Sequence, residues 1–339
     1  MLNRLFHKPA PVEGTLRSLA DSANLQMGVA VDDRLLRSDP RYRELIAREF
    51  NMVTAEDAMK FERLHPEPDV YTFEDGDLIT GFAQAHGVAV RGHALVWHRM
   101  NPAWIEDAVT SPEHLLKLLR EHVVTVATHY RGRACAWDVV NEAVSDDGAL
   151  RESVWLRGLG KEYIEKAFTW AHEADPDACL FYNDYGCEHP GPKQDAVFTL
   201  ISDLKSRDVP IHGMGFQGHM NVESAPGRRK VTRTLERFAT LGLRLQFTEA
   251  DIWLRSDDCL KPTALKKQAR LYAMLMQQGL AQGCFDGFTV WGVADHQSWV
   301  PAHFPGWGAP LLFDEDYAEK PAYDALRQAL HKSSRRMAR

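Results

Sequence analysis

The sequence has little cysteine, and none of it is spaced to act together. There are five residues in 339, with no CxxC pair. An odd count without that spacing argues against a disulfide framework and against a cysteine metal site. Cys135 and Cys179 sit in apolar runs and read as core residues. Long hydrophobic runs are missing as well. None approaches the roughly 20 residues that a membrane span needs. The first thirty residues hold no apolar stretch of the roughly 7–15 residues that a signal peptide carries. The chain therefore reads as cytoplasmic, or as a secreted protein whose signal peptide is absent from this sequence. No GxGxxG or GxxxxGK[ST] follows an apolar run, which argues against nucleotide binding. A positive excess is lacking too: the formal net charge is -7, the wrong sign for a nucleic-acid partner.

What is present points to one large domain. Hydrophobic residues make up 45% and charged residues 26%, enough to bury a sizeable core. Eight short apolar runs recur along the chain: 25–31, 50–57, 88–97, 135–143, 179–186, 213–220, 244–252 and 287–295. Most are continuous rather than alternating, as expected of parallel strands buried on both faces. Amphipathic helical segments lie between them. Asp39-Pro40 and Ser111-Pro112 each combine a capping side chain with proline at the first helical position. A last helix is expected from Asp316 to about His331. This alternation predicts an α/β chain folded as a single (β/α)₈ TIM barrel. Residues 1–24 read as an N-terminal lead-in, 25–331 as the barrel, and 332–339 as a solvated, mobile basic C-terminal tail.

Function is suggested by where the polar residues fall. Each run begins apolar and ends in carboxylate, amide or imidazole groups: Glu56 and Asp57, His93 and His98, Asn141 and Glu142, Asn183 and Asp184, Gln217 and His219, Glu249 and Asp251, Asp295. In a barrel the C-terminal ends of all strands converge on one mouth. A single polar strand end reads as a satisfied structural group. So many ionisable groups at the same end do not, because burying charge is costly. Glu142 and Glu249 would end the fourth and seventh strands, on opposite sides of that mouth. Two facing carboxylates suit glycoside hydrolysis: one protonates the leaving oxygen, the other attacks the anomeric carbon or activates water. Asn141 could bond a sugar 2-OH, and His219 and Asp251 could orient Glu249. Asp251 also reads simply as the partner of a nearby cation. A negative Glu249 would disfavour charge on Glu142, as a proton donor requires. Of nine tryptophans, most should be core. Trp97, Trp291 and Trp299 fall at or just after strand ends and could stack on sugar rings. Glu56, Lys60, His93 and Gln217 offer hydrogen bonds to hydroxyls.

These motifs resemble those of family 10 glycoside hydrolases, the β-xylanases of a large (β/α)₈ clan. The resemblance is carried by GHALVWH (92–98), WDVVNEA (137–143), NDY (183–185), GFQGH (215–219), TEADI (248–252), VWGVADHQSW (290–299), PLLFD (310–314) and KPAY (320–323). It implies a retaining endo-1,4-β-xylanase with Glu142 as acid/base and Glu249 as nucleophile. His219 would bond the nucleophile and Asp251 would bond His219. Asn141, His93, Lys60 and Gln217 would hold the sugar at the cleavage site, and Glu56 the next glycone sugar. Trp97, Trp291 and Trp299 would wall the glycone pocket, and Asp57 and Tyr185 would also face substrate. No metal and no cofactor are expected. The expected partner of a monomeric, membrane-independent enzyme is xylan or a xylo-oligosaccharide. Other readings are another β-1,4-glycanase of the clan, a non-catalytic carbohydrate-binding barrel and a metal-dependent hydrolase. Three departures stand out. Where the family usually reads E-N-x-M-K-W, this chain has Asp57 and Phe61, and Gly186 stands where many members carry Asn. Asp57 loses two donors and Phe61 an indole N–H, so an altered glycone side is expected, while Gly186 leaves the aglycone side open.

Overall fold

The computed structural model describes residues 12–107 and 111–337. All eight apolar runs become strands: β1 Gln26–Val31, β2 Met52–Ala55, β3 Ala89–Val96, β4 Ala136–Asn141, β5 Cys179–Asp184, β6 Gly213–Phe216, β7 Arg244–Arg255 and β8 Phe285–Val290. Each pairs in parallel with the next, and β8 pairs in parallel with β1. The ring is therefore closed and leaves no free edge. Helices connect the strands and cover the outer face.

Local chemistry explains the helix starts. Asp39 Oδ1 accepts from the N–H of Arg41 (2.8 Å) and Tyr42 (3.3 Å) and opens helix Pro40–Glu49. Ser111 Oγ accepts from the N–H of His114 (3.4 Å) and opens helix Pro112–His129. The last helix departs from expectation. It spans Pro321–Met337 and not Asp316–His331. Asp314 Oδ1 takes the N–H groups of Asp316 and Ala318 (2.9 and 2.8 Å) into a turn, which delays the helix to Pro321. At the other end the helix continues through residues expected to form a mobile tail. Within the expected lead-in, helix Leu16–Ser22 packs against the last helix and β1. Its Arg17 donates to the carbonyls of Ala47 (2.7 Å) and His86 (2.9 Å), tying two helix ends together. Residues 1–11 of that lead-in and 338–339 of the tail lie outside the described residues.

The two cysteines read as core are not fully buried. Cys179 opens β5 at the floor of the ring, where its Sγ lies 2.7 Å from Arg244 Nη1. Above that floor the interior is polar. Arg91, fully buried, pairs with Asp138 and donates to Gln246 Oε1 (2.8 Å). A buried cation is tolerated only with such partners. This charged layer supports the mouth from below.

Candidate active site

Strand irregularities aim the two central glutamates. On β4, Asp138 faces Phe181 but Val140 faces Tyr182, so one extra residue enters just before Asn141 and Glu142. On β7, Phe247 faces Phe288 but Ala250 faces Val290, so one extra residue enters around Glu249. Such bulges bend a strand and redirect the next side chains. Glu142 also has φ of 56°, in the left-handed region that side chains other than glycine seldom adopt. Conformations of that kind gather where a site demands them. The Glu142 backbone is held there, its N–H donating to the Asn183 carbonyl (2.9 Å) and its carbonyl accepting from Arg151 Nε (2.9 Å).

The mouth holds a cleft of about 690 Å³. Thirteen of the fourteen residues expected at the site line it: Glu56, Asp57, Lys60, His93, Trp97, Asn141, Glu142, Tyr185, Gln217, His219, Glu249, Trp291 and Trp299. The fourteenth, Asp251, sits just beneath as a shared acceptor. It takes His219 Nδ1 (2.8 Å) and the indole N–H groups of Trp253 (2.6 Å) and Trp299 (2.8 Å).

Glu249 is almost fully buried, yet its pKa is lowered. Burial opposes the charge, but His93 and the hydrogen-bonded His219 outweigh it. His219 Nε2 lies 3.2 Å from Glu249 Oε2, and Asn183 Nδ2 donates to Oε1 at 2.7 Å. His219 itself is pushed up to about 10: burial works against its proton, but the negative charges of Asp251 and Glu249 win. The imidazolium therefore stands between two carboxylates across the neutral range. Glu142 Oε1 accepts from Gln217 Nε2 (2.9 Å), and its Oε2 lies 3.7 Å from His98 Nδ1. Burial brings His98 down to about 4, even though Glu142 pulls the other way. Its ring is thus neutral near pH 7. Glu56 is raised to about 7, by burial first and by the Asp57 charge second.

Several contributors escaped the sequence reading. Asn183 reads in sequence only as a strand end, but it bonds Glu249 and contacts the Asn141 amide (3.0 Å). It reaches across β6 because that strand carries Gly215. A Cβ there would fall 2.3 Å from Asn183 Oδ1. Asp138 holds His93 Nδ1 at 2.9 Å. Arg151 bonds the Tyr185 hydroxyl (2.9 Å), and Trp253 and Phe304 add an aromatic rim. Of these, Asn183 had a signal in sequence as a polar strand end, Asp138 as part of the WDVVNEA motif, and Trp253 by standing two residues beyond Asp251 on the same strand.

The departures from the family pattern resolve individually. Phe61 does not face the cleft, contrary to the expected effect on the glycone side. It stacks on His122 with ring centroids 3.5 Å apart, behind Lys60. Asp57 does face the cleft and pairs with Lys60 Nζ at 2.6 Å. Gly186 has φ of 69°, a conformation that glycine and asparagine tolerate better than other residues, so the exchange preserves the backbone. Among the described residues no group of three or more His, Cys, Asp or Glu side chains could hold a metal ion.

Comparison with known proteins agrees with this geometry. The family model described as Glycosyl hydrolase family 10 matches residues 15–329. Endo-1,4-beta-xylanase B of Thermotoga neapolitana is 42% identical over 317 residues, covering 93% of this chain and 91% of the relative. The crystal structure of xylanase 10B from Thermotoga petrophila RKU-1 in complex with xylobiose superposes with a TM-score of 0.92 at 42% identity, over 94% of this chain and 98% of that one. A mutant of the intracellular xylanase of Thermoanaerobacterium saccharolyticum, in complex with xylotriose, gives 0.85 at 37% identity, over 94% and 99%.

Proposed function

The chain belongs to glycosyl hydrolase family 10 and is a glycoside hydrolase of the xylanase kind; on that premise we propose that Glu249 and Glu142 cleave internal β-1,4-xylosidic bonds by double displacement. The observation that carries the assignment is the unequal treatment of the two carboxylates. Glu249 is held ionised by His93, His219 and Asn183, as a nucleophile requires. Glu142 instead meets the amides of Gln217 and Asn141 and a neutral imidazole, with no Lys or Arg ion pair among the described residues, as suits a proton donor.

Glu249 attacks the anomeric carbon while Glu142 protonates the departing glycosidic oxygen. A covalent glycosyl–Glu249 ester results. Glu142, now a carboxylate, takes a proton from water, which attacks the same carbon and restores both groups. His219, held protonated by Asp251, returns a hydrogen bond to Glu249 as the ester breaks. Lys60, His93 and Gln217 bond sugar hydroxyls, and Trp97, Trp291 and Trp299 wall the ring. Residues 25–331 act as a single catalytic unit. The substrate is xylan or xylo-oligosaccharide. A cytoplasmic place, where short oligomers would be met, is supported by likeness to an enzyme described as intracellular. Among the described residues no helix is long and apolar enough to cross a membrane.

Xylohexaose digestion followed by anomeric NMR tests the reading. Shorter oligomers should appear first as the β-anomer, with Glu249→Ala and Glu142→Ala each crippled. First-formed α-anomer would remove the nucleophile role from Glu249.

A further inference from the structure

One short segment serves both central glutamates. Gln217 Nε2 donates to Glu142 Oε1 (2.9 Å), and His219 Nε2 lies 3.2 Å from Glu249 Oε2. Gly218 stands between them. The register of β6 with β7 ends at Phe216, and pairing with β7 resumes at His219, opposite Asp251. At this break Gly218 takes φ of 82°, a conformation open to glycine and seldom to other residues. That freedom leaves the segment free to pivot unless its peptide planes are held from outside.

The peptide joining Gln217 to Gly218 is held at both ends. Its carbonyl accepts from the backbone N–H of Glu249 (2.9 Å), and its N–H donates to Glu188 Oε1 (2.7 Å). Glu188 is 3% exposed, sits in the loop after β5 and does not line the cleft. Burial pushes its carboxyl up, against the pull of its own N–H, the Gly218 N–H, His219 and His189. An N–H freed at a ladder break needs only some acceptor, and an ordered water would serve. A buried carboxyl is a costly way to supply one. The loop that carries it is itself tied down: the Cys187 carbonyl accepts from buried Gln194 Nε2 (3.4 Å), on helix Pro192–Ser206.

We propose that Glu188 is a positioning residue for the reaction: by fixing the Gln217–Gly218 peptide it sets Gln217 against Glu142 and His219 against Glu249 together. It acts through these two side chains and through the backbone of Glu249. Losing the Gly218 contact frees the plane to rotate about its one remaining bond. Both glutamates then lose the angle at which their partners meet them, and small misplacements of reacting groups are expensive in rate. The inference rests on the assignment of Glu142 and Glu249 as the catalytic pair.

The test measures kcat and KM on xylohexaose for Glu188→Ala and Glu188→Gln, well below the melting temperature of each. Glu188→Ala should lower kcat about 10–100-fold, as loss of an outer supporting partner does, with little change in KM. Glu188→Gln keeps an oxygen for the Gly218 N–H and should recover most of that loss. An unchanged kcat in Glu188→Ala, with only the melting temperature lowered, overturns the proposal and makes Glu188 purely structural. So does a rise in KM with kcat intact, or a Glu188→Gln no better than Glu188→Ala. Should Glu188→Ala fail to fold, Glu188→Asp draws the carboxyl back from Gly218 and should lower kcat instead; full activity in that variant overturns the proposal equally. Failure of wild type to cut xylohexaose, or activity surviving in Glu249→Ala, is a separate result and overturns the catalytic assignment itself.

Discussion

Asp251 Oδ1 lies 2.8 Å from Nδ1 of His219, and this contact sets the charge that faces Glu249. The carboxylate does not itself line the cleft, yet it holds the His219 proton up to about 10. Removing it takes away the negative charge that favours the imidazolium. The proton must then leave at lower pH.

Asp251→Asn should therefore move the basic limb of the kcat/KM profile toward neutral pH and lower activity at pH 7 by about 10–100-fold, the usual effect of losing a supporting partner of this kind. A pH–rate profile of the variant against wild type checks it. Coincident basic limbs would show that His219 does not depend on Asp251.

Glu56 offers a second titration. Its pKa is raised to about 7, by burial and then by Asp57. The folded chain keeps a proton that the unfolded chain releases from about pH 4.5 upward. Stability from this group is present below that pH, declines as pH rises to about 7 and is constant above. Glu56→Gln should flatten the fall of melting temperature between pH 4.5 and 7.5, measured by calorimetry. A slope equal to that of wild type would contradict the buried environment.

The buried Arg91–Asp138 pair predicts a large effect of one atom. Asp138→Asn leaves a fully buried guanidinium without its anion. Breaking one side of such a pair costs about 3–5 kcal/mol. Urea unfolding should show a loss in that range, far above that of an exposed pair such as Arg255–Glu223 on Glu223→Gln.

Phe61 gives a prediction against the family pattern. Restoring the usual residue by Phe61→Trp enlarges a ring already stacked against His122 at 3.5 Å. Overpacking costs about 1–3 kcal/mol, so the melting temperature should fall by a few degrees. KM for xylo-oligosaccharides should not improve, since the ring does not line the cleft. A gain in affinity would show that Trp at 61 turns toward the substrate.

The strands were legible because burial on both faces writes continuous apolar runs, and the mouth was legible because polar groups ended each of them. Helix Pro40–Glu49 announced itself through Asp39, whose side chain caps it in the fold as its position implies. The last helix did not, because Asp314 closes a turn over residues that look helical by pattern alone. Asn183 was visible as a residue but not as a ligand of Glu249. That role depends on the empty space at Gly215, one strand away and 32 positions along the chain. The bulges before Asn141 and around Glu249 left no mark at all, since an extra residue is defined only against the neighbouring strand. Phe61 misled because sequence order placed it beside Lys60, and the helix that begins there turns it away from the cleft.

The closure of β8 onto β1 bears on how the protein fails when heated. Glu142 and Glu249 ride on the fourth and seventh members of a ring without a hinge, and Asn183 ties the members between them to both sides of the mouth. Parting the two carboxylates would require breaking ladder bonds around the ring. Catalytic competence and the cooperative integrity of the barrel are thus one property, and inactivation on heating should follow the global melting curve rather than precede it.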